Sequence, residues 1–198
     1  MKPRRLVELA VVYPLLGFAL LLIVLVAAMP RCNCRFRASE TAAIATLRNL
    51  QSAQRVFVDA RTVDLDGDGI GEFGTLGELT GSDPLRGDPN GALLEPPLLT
   101  PGLRPTGIHG TAFRSGYHYR LFFPCRDGRW LRVDESPEKR DVNAAETRWC
   151  VFAWPRFQDP RTTRSFRIDQ TGRVTATRAR VDPTVLPRLD VSGWDEVR

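Results

Sequence analysis

Few residues in this chain are suited to bond chemistry. Histidine occurs only at His109 and His118, and cysteine only at Cys32, Cys34, Cys125 and Cys150. No two cysteines have C-x-x-C spacing and the histidines stand apart, which excludes the usual zinc frameworks. Also missing are the G-x-S-x-G turn of serine hydrolases, the H-E-x-x-H helix of metalloproteases and the phosphate-cradling P-loop. Without such a constellation the chain is expected to be non-enzymatic. Lysine is nearly absent too: of 28 basic residues, all but Lys2 and Lys139 are arginine. Asp and Glu are interleaved with them, so the net charge of +5 reads as a solvated surface. Nucleic acid is not an expected partner. No internal repeat is evident.

What the chain does have is a long apolar run near its start. Leu9 to Met29 is 21 residues without a charge, enough to cross a bilayer as a helix. It exceeds the roughly 7–15 apolar residues of a signal-peptide core, and Pro30-Arg31 follows at once, so it reads as a retained anchor. Glu8 stands at its edge, where a carboxylate is costly and is interfacial or functional. Arginines and Lys2 flank both ends, so charge does not orient the span. Topology is instead argued from Cys125 and Cys150, which flank expected strands. A bond between them would close a loop of about 25 residues, stabilising the domain by roughly 3 kcal/mol. It also implies an oxidising compartment, with the N-terminus inside and the domain outside. For juxtamembrane Cys32 and Cys34, pairing between chains, acylation and free thiols all stay open.

Residues 1–37 thus form an anchor with a basic collar, and 38–198 one extracytoplasmic domain. The collar leads into a stretch without Gly or Pro, and the spacing predicts a helix over 38–60 with Ser39 as N-cap. Ile44, Leu47, Leu50, Gln54 and Phe57 give it one stripe, which needs a sheet to cover it. An Asp/Gly loop over 64–72 and a helical turn at Leu76–Leu79 follow. The Pro/Gly-rich stretch 81–110 is too broken for regular structure and is expected to wrap the surface. The sheet is expected over 116–178, with strands at 117–123 and 149–154 and a hairpin joining 165–169 to 173–177. A helical turn is expected near Asn143–Glu146, and the tail from Val181 along the surface. Trp130, Trp149, Trp154 and Trp194 read as core, and Arg156, Arg161, Arg164, Arg167 and Arg173 as a solvated rim.

The strongest site-like motif is Asp64-Leu65-Asp66-Gly67-Asp68-Gly69-Ile70-Gly71-Glu72. Carboxylates at alternate residues converge when the chain turns, as at the start of an EF-hand loop. Asp64, Asp66 and Asp68 take the first, third and fifth positions, Ile70 offers its carbonyl and Glu72 is ninth. Thr75 occupies the twelfth, where an EF-hand has a bidentate Glu, and Glu78 is the expected substitute. The expectation is a Ca²⁺-stapled loop; the alternative is a solvated Asp/Gly turn without metal.

Leu6-Val7-Glu8-Leu9-Ala10-Val11-Val12 resembles the N-terminal signature of type IV pilins and type II secretion pseudopilins from its L-[IV]-E-L part onward. Ala42–Arg48, Trp149–Pro155 and Phe166–Val174 resemble the helix and closing strands of the G-type pseudopilins and pilin-like heads. The resemblance implies an α+β fold, with one long N-terminal helix, transmembrane then amphipathic, packed on a small antiparallel sheet. It implies a structural or assembly subunit of a bacterial envelope secretion or pilus system, associating with its own or other pilin-like subunits. The anchor would sit in the inner membrane, with the N-terminus cytoplasmic and the head periplasmic. Glu8 would then be an assembly residue, and calcium a structural ion as in G-type pseudopilins. Pro3, Arg4 and Arg5 stand where the family has Gly, Phe and Thr or Ser around its processing cut. This departure leaves a second reading: an anchored binding module that uses a pilin-like fold without entering a filament.

Overall fold

The computed structural model describes residues 34–107, 110–127, 129–132, 139–159, 161–181 and 193–197. The expected span 9–29, Glu8 and Cys32 lie outside them. Among the described residues no helix is long and apolar enough to cross a membrane.

The fold is α+β, with several helices and one antiparallel sheet. Helix α1, Cys34–Asp59, contains neither Gly nor Pro, so nothing in its 26 residues interrupts the ladder. It starts earlier than the expected Ser39 cap. Ser39 lies inside the helix beside the turn at Gly116, and Glu40, also inside it, pairs with Arg164. One face of α1 carries Ala43, Leu47, Leu50, Ala53 and Phe57, all buried, matching the expected periodicity.

Helix α2, Leu76–Leu79, is a single buried turn closed by a capping box, in which Thr75 and Glu78 satisfy each other's backbone N–H groups. A single 3-10 turn, Pro101–Leu103, interrupts the otherwise irregular stretch after it. The strands are β1 Ala112–Arg114, β2 Tyr117–Pro124, β3 Trp130–Arg132, β4 Cys150–Pro155, β5 Ser165–Asp169, β6 Thr175–Thr177 and β7 Asp195–Glu196; helix α3, Val142–Thr147, precedes β4. The order is β1-β2-β4-β5-β6-β7, with β3 also on β2. β1 and β3 share one edge of β2, β1 facing Arg114↔Tyr117 to Ala112↔Tyr119 and β3 facing Phe122↔Arg132 to Pro124↔Trp130. β1, β3 and β7 were not expected. They have two or three residues each, too few to show an alternation.

Period-two alternation sets the two faces of the sheet. Tyr117, Tyr119, Leu121 and Phe123 of β2, Val151 and Ala153 of β4, and Phe166 and Ile168 of β5 join the α1 residues in one core. The opposite parity, Phe122, Cys150, Phe152 and Trp154, packs under Val181, Trp130 and Trp194 as a second, smaller cluster.

That parity overturns the expected disulfide. Cys125 and Cys150 are both free, buried thiols. Cys150 lies opposite Phe122, three residues short of Cys125 along β2, a distance of about 10 Å at strand rise. Cys150 belongs to the outer cluster, whereas Cys125 pairs with Arg140 beyond the end of β2 and sets its Sγ 2.8 Å from the Lys139 carbonyl. Burial pushes the Cys150 thiol far above its ordinary range. The compartment inference that rested on this bond loses its support.

Candidate metal centre

The loop after α1 is built around its carboxylates. Asp64 accepts the Gly67 N–H with Oδ1 at 2.8 Å and the Gly69 N–H with Oδ2 at 3.0 Å. Asp68 Oδ1 accepts the Ile70 N–H at 2.7 Å, and Asp66 Oδ1 the Asp68 N–H at 3.4 Å. These Asx-type bonds wind the chain tightly enough to bring alternate carboxylates together. Gly69, with φ +87°, takes a conformation L side chains resist. Gly71 is required for a different reason: a Cβ there would lie 2.7 Å from the Val58 carbonyl oxygen, against the end of α1. The loop base is closed by Glu72 N–H to Val63 O at 2.9 Å.

The structure brings together Asp64, Asp66 and Asp68. Each offers an oxygen within 4.8 Å of the others, and among the described residues they are the one acidic, Cys or His group placed to hold an ion. Ile70 presents an exposed side chain, with its N–H committed to Asp68. Glu72 is fully buried; its Oε1 accepts the Leu65 N–H at 2.7 Å, and its Oε2 has no hydrogen-bond partner. An unpaired buried carboxylate oxygen is costly. Burial raises the Glu72 pKa above its ordinary 4.5; Asp66 and Asp64 add to this, against the Leu65 N–H and Arg86.

The expected substitute ligand, Glu78, is engaged elsewhere. Thr75 caps α2, and both oxygens of Glu78 are occupied, Oε2 by the Thr75 N–H and Oε1 by the backbone N–H and Nε of Arg86 at 2.8 Å each. Glu78 therefore does not replace the twelfth-position Glu.

In its place the fold supplies α3, tied to the loop exit by Phe73 N–H to Ala145 O at 3.1 Å. Asn143 Nδ2 donates to Asp66 Oδ2 at 3.5 Å. Glu146, one turn later on the same helix face, has a buried Oε1 without a partner. Its pKa is raised by burial first, then by Asp68, Asp66, Glu72 and Asp64 in turn. The converging aspartates thus act on Glu72 and Glu146 through their charge. Their donor set is all oxygen, the chemistry of calcium rather than of zinc or copper. Asn143-x-x-Glu146 was visible as a helical pair, but nothing local tied it to a loop about 75 residues upstream.

The chain matches no family model, no curated protein and no solved structure.

Proposed function

We propose that this chain is a non-enzymatic, membrane-anchored, pilin-like or pseudopilin-like subunit of a bacterial envelope secretion or pilus system, with a calcium-stapled head. One observation carries the reading: a long helix begins five residues after the apolar run and is covered along one face by an antiparallel sheet that follows it in sequence. The Leu6-Val7-Glu8-Leu9 order at the head of the run supports the same reading, with Glu8 as the assembly residue.

In this reading the run spans the inner membrane once, the N-terminus is cytoplasmic and the head is periplasmic. Calcium is held by Asp64, Asp66 and Asp68 with the Ile70 carbonyl, and Glu72 and Glu146 supply the remaining charge. At millimolar extracytoplasmic calcium even a weak site of this kind fills. The ion's work is to neutralise clustered carboxylates and to pin the loop to α3; it takes part in no reaction. Homo- or hetero-association with other pilin-like subunits follows from the same reading.

Pro3-Arg4-Arg5 favours a second reading, an anchored binding module that does not enter a filament. Mass spectrometry of the chain from its native membrane separates the two. A methylated N-terminus beginning near Arg4 supports filament assembly, and an intact Met1 supports the anchored module.

A further inference from the structure

The head is electrically bipolar. The end of α1 at Asp59 leads into the acidic loop, while the other end is rich in arginine. There, Gly116 lies beside Ser39 of α1, the Gly116 carbonyl accepts the Arg156 N–H at 2.9 Å, and the Tyr117 hydroxyl donates to the Arg164 carbonyl at 2.9 Å. Arg178 Nη1 donates to the Arg161 carbonyl at 3.1 Å. The start of α1, the β1–β2 turn and the segments leaving β4 and β6 therefore form one surface. Arg37, Arg156, Arg161, Arg164 and Arg178 lie on it. Its described carboxylates are Glu40, paired with Arg164 at 2.7 Å, and Asp159, which accepts the Arg161 N–H at 2.9 Å. The basic end and Asp59 are about 30 Å apart along α1.

Exposed aromatic rings stand among these arginines. Phe157 is 74% exposed, Phe36 44% and Phe113 43%. The Arg156 guanidinium lies over both Phe157, at 5.4 Å, and Phe113, at 6.0 Å. Exposed phenylalanines among arginines are the composition of a surface that settles into a bilayer interface, with rings at the acyl boundary and guanidiniums on phosphate. Position favours the same partner. Four residues separate Met29, the end of the expected span, from Cys34, and even fully extended they reach only about 14–18 Å.

We infer that this basic, phenylalanine-bearing end of the head docks on anionic phospholipid headgroups and holds the head on the bilayer with its acidic loop pointing away. The inference rests on the anchored reading above, and its test separates the two. The full chain is mixed with vesicles of neutral phosphatidylcholine, or with phosphatidylglycerol added, and floated; amide hydrogen exchange is then read at residues 111–118 and 155–163. Flotation with both vesicles, with slower exchange in these segments only on phosphatidylglycerol, is the expected result. That protection weakens in high salt and by about fivefold for each arginine reversed in R156E and R161E. The exposed variant F157S, which leaves the charge intact, loses part of it. Flotation with phosphatidylglycerol vesicles alone would leave the docking surface standing and remove the anchor. Flotation with both but equal exchange would overturn the docking surface and leave the anchor. Protection of these segments by a single-stranded oligonucleotide and not by anionic lipid would also overturn the lipid assignment.

Discussion

Replacing Gln54 by leucine strikes a buried polar lock between α1 and the loop exit. Gln54 is fully buried on the apolar face of the helix. Its Nε2 donates to the Gly74 carbonyl at 2.7 Å, and its Oε1 accepts the Gly74 N–H at 2.8 Å. The amide thus mimics a strand neighbour for one peptide unit that no strand serves. Leucine keeps the volume and the helix propensity but leaves both Gly74 groups buried without partners, at about 1–3 kcal/mol each. Leucine's own burial returns roughly 1–2 kcal/mol, so a net loss of about 2–4 kcal/mol is expected. For a domain of this size that lowers Tm by on the order of 10 °C. The assay is thermal unfolding of parent, Q54L and R55L; Arg55 is the exposed neighbour, and its replacement should cost under about 0.5 kcal/mol. Amide exchange at Gly74 gives a local readout, faster in Q54L. A Q54L protein melting within a degree of the parent, with Gly74 still protected, would refute the lock.

Four further outcomes follow. Calcium at about 10 mM should raise Tm by several degrees over chelator, since an extracellular-type Kd of roughly 10⁻⁴–10⁻³ M gives about 1.4–2.7 kcal/mol; D64N/D66N should abolish the increment, and an unchanged melt on chelation would dismiss the site. In chelator, Glu72 and Glu146 titrate above 4.5 when folded, so their stabilisation is full below pH 4.5 and is lost as pH rises through the raised values; E146Q should flatten that decline and calcium should reverse it, as pH-dependent melts will show. Glu40 accepts three bonds from Arg164, at 3.0, 3.0 and 2.7 Å, but the Arg164 side chain is 35% exposed, so E40A should cost only about 1–2 kcal/mol in denaturant unfolding. Peptide mapping of unreduced protein should recover Cys125 and Cys150 as separate thiol peptides, both slow to alkylate until unfolding; a cross-linked peptide would show the assigned faces to be wrong.

Elements set by local pattern were legible in the sequence. The helical period of Leu47, Leu50 and Phe57 placed the buried face of α1, and alternation from Tyr117 placed β2. Asp/Gly spacing placed the carboxylate loop, whose Asx bonds span only two to five residues. Gln54 was placed on the stripe but not as a polar lock, because its partner Gly74 is 20 residues away. The short strands β3 and β7 pair with residues already in place, and so leave little pattern of their own.

The sequence by itself determined the apolar run, the order helix then sheet, and the three aspartates that converge, because each depends on spacing within a turn or two of chain. Tertiary structure alone decided which distant groups meet. It set Glu146 against the loop, spent Glu78 on Arg86, put Cys125 and Cys150 out of bonding reach, and gathered arginines and exposed phenylalanines from four segments at one end. Such meetings follow from strand register and helix placement, where a shift of one residue exchanges one face for the other.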